Sequence, residues 1–98
     1  MKHDVGKSVY KDMQKLPSYA QVAAATELAK IDDVDNFEKL SEVADIRHME
    51  STDEPYFRLK FGFYRFLLYY DVENEAIKIL SLRHRKDAYK RQNLPWLR

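Results

Sequence analysis

The chain has no cysteine, two glycines, three prolines and one tryptophan in 98 residues. Without cysteine there are no disulfides, thiolate metal sites or cysteine nucleophiles, so any catalysis must use other groups; a reducing compartment fits. No apolar stretch of signal-peptide length occurs in MKHDVGKS, and the longest strongly apolar run, FLLYY at 66–70, is too short to cross a bilayer. A soluble, cytoplasmic protein is expected. Repeats and low-complexity tracts are also missing. What remains is rich in core-forming material, 45% hydrophobic and 13% aromatic, which favours order over disorder. The length suits one domain spanning 1–98.

Net charge is only +1, but it is unevenly distributed. Residues 1–55 carry seven Lys/Arg against twelve Asp/Glu, a balance of −5, whereas residues 56–98 carry ten against four, a balance of +6. Such partition suggests a cationic working surface on an acidic support, and phosphate-rich ligands are the usual partners of cationic surfaces. An ordinary solvated face would show the same bias.

In KSVYKDMQKLP, Val9, Tyr10, Met13 and Leu16 recur at helical spacing, with Ser8 as a candidate N-cap, and Leu16-Pro17 closes the segment. Ser18 is placed to cap a second helix, SYAQVAAATELAKI, whose Val22, Ala25, Leu28 and Ala29 form one apolar stripe. The pair reads as a helical hairpin that needs a sheet to cover it. The acidic stretch after it is either loop or a short helix over Phe37, Leu40 and Val43/Ala44 behind an Asp35/Asn36 cap. From Tyr56 the chain turns to strand chemistry, aromatic and large apolar residues interleaved with cations. Strands are expected near 56–61, 64–71 and 75–82, joined by antiparallel hairpins at Gly62 and at Asp71-Val72-Glu73-Asn74. The polar tail HRKDAYKRQN reads as a short C-terminal helix broken by Pro95. The fold class is therefore α+β, a helical hairpin packed on a small twisted antiparallel sheet.

Alternation along the first of these strands sends Phe57, Leu59 and Phe61 one way and Arg58 and Lys60 the other. Arg65 follows the Gly62 reversal and can join them across the hairpin. Arg83, His84, Arg85 and Tyr89 lie at or beyond the end of the third strand. Guanidinium, ammonium, imidazole and phenol could thus gather at one end of the sheet, an inventory suited to phosphate. Alternating cations on a half-exposed strand also serve simply to solubilise it and discourage edge pairing. No metal ligand set is implied, because the spacing of His84 with His3 or His48 matches no such motif.

The order of these residues resembles the RelE/ParE family of small bacterial toxins. FRLKFGFYR is similar to its aromatic-Arg-hydrophobic-Lys/Arg-hydrophobic-Gly-x-Tyr-Arg pattern, LRHRKDAYK to its closing His-Arg-Arg/Lys-Asp-x-Tyr, and KSVYKDMQKLP to its first helix, so the likeness spans about residues 7–91. The resemblance implies the toxin of a type II toxin–antitoxin pair. The expected activity is a metal-independent endoribonuclease without cofactor, cutting messenger RNA in the decoding site of the 30S ribosomal subunit, with a small antitoxin as protein partner. A gyrase inhibitor of the ParE branch and a non-catalytic scaffold that binds an antitoxin are the alternatives.

Carried over by position, the resemblance nominates Arg58, Lys60, Arg65, Arg83 and Tyr89 as catalytic, with His84 as a rival base and Arg85, Lys86, Lys90 and Arg91 as RNA contacts. Cleavage by a ribose 2′-hydroxyl requires proton removal, stabilisation of extra negative charge and protonation of the leaving oxygen. Arg58 and Arg65 suit phosphate clamping, since planar guanidinium groups bind two oxygens at once. Lys60 is a candidate base if neighbouring cations disfavour its protonated form; imidazole suits the task more directly. Arg83 can stabilise charge or act as the acid, and Tyr89 can stack on a base or orient the ribose. The sequence departs from the family pattern at Phe63, where aspartate is usual, and at Ser51, where glycine is common. His3 and Asp4 interrupt alternation ahead of the first helix, so a stunted first strand is expected.

Overall fold

Alternating apolar residues in the aromatic half produce a sheet with one face buried under helices. The computed structural model describes residues 1–97. In chain order these form β1 (Lys2–Val5), α1 (Lys7–Gln14), α2 (Ser18–Asp33), α3 (Phe37–Val43), β2 (Asp45–His48), β3 (Tyr56–Phe61), β4 (Tyr64–Asp71) and β5 (Ala76–His84). Two single 3-10 turns, Arg91–Asn93 and Pro95–Leu97, follow. The sheet order is β1-β5-β4-β3-β2. Pairing is antiparallel except for β1, which runs parallel to β5 with Lys2 opposite Ala76 and Val5 opposite Ile79. The sheet is thus mixed rather than purely antiparallel, because α1 and α2 return the chain before β2 begins. Among the described residues no helix is long and apolar enough to cross a membrane.

Register decides which side chains are buried. Leu59 lies opposite Phe66 and Phe66 opposite Leu82, while Leu68 pairs with Ile79 across a bulge at Leu67/Leu68. These residues join Val9, Ala24, Ile31, Leu40, Phe61 and Ile77 in the main core, between sheet and helices. Each fully buried Leu, Ile or Phe contributes roughly 1.5–3 kcal/mol. On the opposite face a smaller cluster forms where Met49, Leu67 and Leu94 pack with Tyr56, Leu80, Trp96 and Leu97. The C-terminal tail therefore covers part of the open face, and Trp96 Nε1 donates to Ser51 Oγ at 2.9 Å.

Several local expectations are corrected. Gly6 and Pro17 occupy the N-cap positions of α1 and α2, so Ser8 and Ser18 stand inside the helices and make no side-chain cap. The buried stripe of α2 is Ala20, Ala24, Glu27 and Ile31; Val22, Ala25 and Ala29 face outward and Leu28 is partly buried. In an alanine-rich helix several faces are about equally apolar, and the large Ile31, fully buried in the core, selects among them. Glu27 enters this stripe paired to Lys30 at 3.0 Å. The acidic stretch does form a helix, α3, whose cap is Asn36: its Oδ1 accepts the Lys39 N–H at 2.9 Å. Among the described residues no α-helix follows β5; residues 85–89 turn, and the tail then makes the two 3-10 turns. The Asn93 side chain donates to the Asp87 carbonyl at 2.8 Å, a local bond that competes with continued helix.

The β3–β4 reversal needs its glycine. Gly62 has φ +58 while Phe63 stays out of the left-handed region, the pattern of a type II′ hairpin with glycine at its first central position. A Cβ at Gly62 would meet nothing within 4 Å, so substitution there costs only backbone strain. Gly62→Ala should lower unfolding free energy by about 1–2 kcal/mol. Gly6→Ala, where φ is −59 and a Cβ would meet only ordinary contacts at 3.5 and 3.8 Å, gives up only the preference of an N-cap for glycine over alanine and should cost less than Gly62→Ala. Denaturant midpoints of the two variants check the contrast; equal losses would refute it.

Candidate nucleic-acid interface

The same register that buries Leu59 and Phe66 places cations in rows on the open face. Lys60 stands opposite Arg65, and Arg65 opposite Arg83, so β3, β4 and β5 each contribute one cation to a single row. One step along β3, Arg58 stands opposite Arg47 of β2. Like charges directly opposite one another destabilise a sheet, which makes these rows costly as mere surface and well suited to an anion.

Arg58 and Arg65 are each held from one side. Arg58 Nη1 donates to Asp45 Oδ1 at 3.1 Å and to the Asp45 carbonyl at 3.2 Å. Arg65 Nη1 donates to the carbonyls of Gly62 and Tyr64 at 3.0 and 2.9 Å. Arg83 lies 3.9 Å from Asp12 of α1, too far for a hydrogen bond. The Nε atoms of Arg65 and Arg83 are both buried and have no hydrogen-bond partner. A buried unpaired donor costs about 1–3 kcal/mol, more when charged, and a bound oxyanion would remove that cost.

A small cavity is lined by Arg58, Arg65, Arg83 and Tyr89. Beside it lies a larger one of about 600 Å³, where Arg47, Arg58, Tyr89 and Arg91 meet an apolar floor of Met49, Leu94 and Leu97. The structure thus brings Arg58, Arg65, Arg83 and Tyr89 together; Lys60 is exposed in the same row. His84 is not with them. It pairs opposite Tyr64 in the row that faces the helices, and its Nδ1 accepts the Lys86 N–H at 3.2 Å. Arg85 sets its guanidinium 4.9 Å from the centre of the Phe63 ring, Lys86 is exposed, and Lys90 pairs with Asp87 at 2.7 Å. Among the described residues no group of three or more His, Asp or Glu side chains converges as a metal site.

Arg47 is the residue that sequence reasoning missed. It sits in a four-residue strand inside an acidic stretch, and only the pairing of β2 with β3 shows its partner. The one available signal was Ile46-Arg47 ahead of a polar connector, too short to establish alternation.

A cationic sheet face with aromatic and apolar cavities alongside is chemistry that suits phosphate-bearing chains. No family model and no curated protein sequence matches the chain; solved structures do. Over 88% of this chain and 94% of the other, it superposes with TM-score 0.69 and 19% identity on a chain of the RelB-RelE antitoxin-toxin complex from Methanococcus jannaschii. The archaeal RelE-RelB complex from Pyrococcus horikoshii OT3 gives TM-score 0.63 and 27% identity over 86% and 93%. The toxin-antitoxin complex RelBE2 from Mycobacterium tuberculosis gives 0.56 and 25% over 85% and 95%. The chain belongs to the RelE-like toxin superfamily.

The loop carrying Tyr89 is fixed by Asp87, whose carboxyl is held below the usual carboxylate range chiefly by its bond to Lys90 and that residue's charge. A folded-state pKa below the unfolded value, about 3.9, makes a contribution that is present above pH 3.9 and lost as pH falls through the lowered value. By NMR, the Asp87 carboxyl should titrate below 3.9, and Lys90→Met should raise its midpoint. An unmoved midpoint would show that Lys90 does not hold the loop in solution.

Proposed function

We propose that this protein is the cytoplasmic toxin of a type II toxin–antitoxin module and that its open sheet face cleaves messenger RNA on the ribosome. The observation that carries this reading is the Lys60–Arg65–Arg83 row, in which two adjacent guanidinium groups keep buried, unpartnered Nε donors. Similarity to RelE chains solved with RelB supports an antitoxin as protein partner.

In the proposed reaction the ribose 2′-hydroxyl loses its proton and attacks the adjacent phosphorus. The bond from phosphorus to the 5′ oxygen breaks, and that oxygen takes up a proton. The products are a 2′,3′-cyclic phosphate and a 5′-hydroxyl, with no water consumed and no electron transferred. Arg65 and Arg83 hold the non-bridging oxygens where charge develops, a role worth most when donors are already positioned. Arg58 and Arg47 extend the clamp along the backbone. Lys60, in the same row, is the proposed base in preference to His84, which lies in the helix-facing row. Tyr89 stacks on a base beside the scissile phosphate, and Arg91, Lys86, Lys90 and Arg85 add backbone contacts that weaken with salt.

Expression of wild type should arrest growth, and purified protein added to a translating extract should leave new 5′ ends on the message. Arg65→Ala and Arg83→Ala should each lower the cleavage rate by about 100-fold or more while keeping the unfolding midpoint. Co-expression of a cognate antitoxin should restore growth. Intact messages with accumulated double-strand breaks in DNA would overturn the reading in favour of gyrase poisoning. Absence of arrest would leave an antitoxin-binding scaffold.

A further inference from the structure

The C-terminal tail and the connector between β2 and β3 meet without closing the space between them. Met49 and Leu94 lie at the bottom of the cavity of about 600 Å³, 6% and 4% exposed, with Leu97 beside them partly buried. Arg47, Tyr89 and Arg91 stand exposed around it. Segments packed only for stability close such gaps, because protein interiors reach the density of organic crystals, and the volume falls in the range of small-molecule sites, about 300–1,000 Å³. The walls are nonetheless fixed. The Trp96 ring of the tail lies 4.7 Å from that of Tyr56, whose carbonyl accepts the Met49 N–H at 2.9 Å. Tail and connector are thus both anchored to the first residue of β3, besides the bond from Trp96 to Ser51.

Met49, Arg58 and Tyr89 line this cavity and also the smaller one that contains Arg65 and Arg83. A phosphate held by Arg65 and Arg83 is therefore one shared wall away from the apolar floor. Charge points to the same occupant. Three arginines, Arg47, Arg58 and Arg91, line the larger cavity against one carboxylate, Glu50, an excess of cation that suits an anion. Among the described residues neither Arg47 nor Arg91 makes an ion pair. An apolar floor under a cationic rim complements a nucleotide, which has a flat, largely apolar base and a charged phosphate on either side.

We infer that this cavity seats the nucleotide adjoining the scissile phosphate, with its base on the floor of Met49, Leu94 and Leu97 beside Tyr89, and its next phosphate at Arg47 and Arg91. The ligand class is a single-stranded ribonucleotide, and contact with the base face tolerates any base identity. The tail is then part of the substrate site as well as a cover for the sheet. The inference rests on the proposed RNA cleavage; the floor residues touch the base and not the reacting atoms.

The test uses ribosomes programmed with an intact message or with one of two messages that lack the base on one or the other side of the scissile phosphate. Full-length wild type should lose about tenfold in kcat/KM on one of the two abasic messages. Leu97→Ser should lose about as much on the intact message and nothing further on that abasic one, while Leu97→Met should behave as wild type. Emission from Trp96, the single tryptophan, should be unchanged in both variants; if Leu97→Ser shifts it, the milder Leu97→Ala carries the same comparison. Equal cleavage of all three messages by wild type would overturn the inference while leaving the cleavage reading intact. So would a loss from Leu97→Ser that is the same with and without the base. If Leu97→Ser left cleavage unchanged but weakened its suppression by a cognate antitoxin, the cavity would belong to the protein partner, and the inference would again fall. No cleavage of the intact message by wild type would overturn the cleavage reading and this inference with it.

Discussion

The pairing register between β3 and β4 is the constraint on which the rest depends. Side chains alternate with period two, so a slip of one residue would turn Arg58 and Lys60 into the main core and expose Leu59 and Phe61. Leu59 opposite Phe66, both fully buried, makes that slip prohibitive. The type II′ turn at Gly62 fixes the same register from the other end. Core packing therefore sets the charge rows: the apolar side of each strand dictates the spacing of cations on its reverse.

Those rows strain the molecule in a controlled way. Three strands present cations side by side, and the structure answers with acceptors at the periphery rather than the centre: Asp45 on Arg58, two turn carbonyls on Arg65, and the more distant Asp12 near Arg83. Asp45 is half exposed, so its pair adds at most about 1 kcal/mol to stability. Its larger effect is geometric, since an anchored guanidinium presents its remaining donors in a fixed direction. The acidic half of the sequence thus acts as a set of anchors around a cationic centre, which is why a chain with a net charge of +1 carries a strongly basic face.

Much of this was legible in the chain. Phe57, Leu59 and Phe61 against Arg58 and Lys60 is a two-residue alternation that needs no tertiary information, and β3 and β4 occupy the expected residues. Helical spacing located α1 and α2, but not which face of α2 is buried, because alanine marks no face. The third strand was located but placed too short by two residues at its end, where Arg83 and His84 continue the ladder opposite Arg65 and Tyr64. β2 and the place of Arg47 were hidden because four residues cannot display a period and their partner is distant in sequence. His84 illustrates a different limit. Adjacency to Arg83 suggested a shared site, yet neighbours on a strand point to opposite faces, and the bulge near Leu80 decides which residue faces which way.

The parallel pairing of β1 with β5 carries a temporal meaning. Synthesis proceeds from the N-terminus, and β1 leaves the ribosome long before its partner strand is made. Until Ala76–Ile79 emerge, β1 has no ladder to join and the Gly6 N–H has no Ile79 carbonyl to meet. Arg83 arrives only with β5, after Lys60 and Arg65 have been synthesised. The nascent chain passes most of its birth with an incomplete charge row. A protein proposed to act on the translation machinery thus finishes building its working surface only after its last strand has left that machinery.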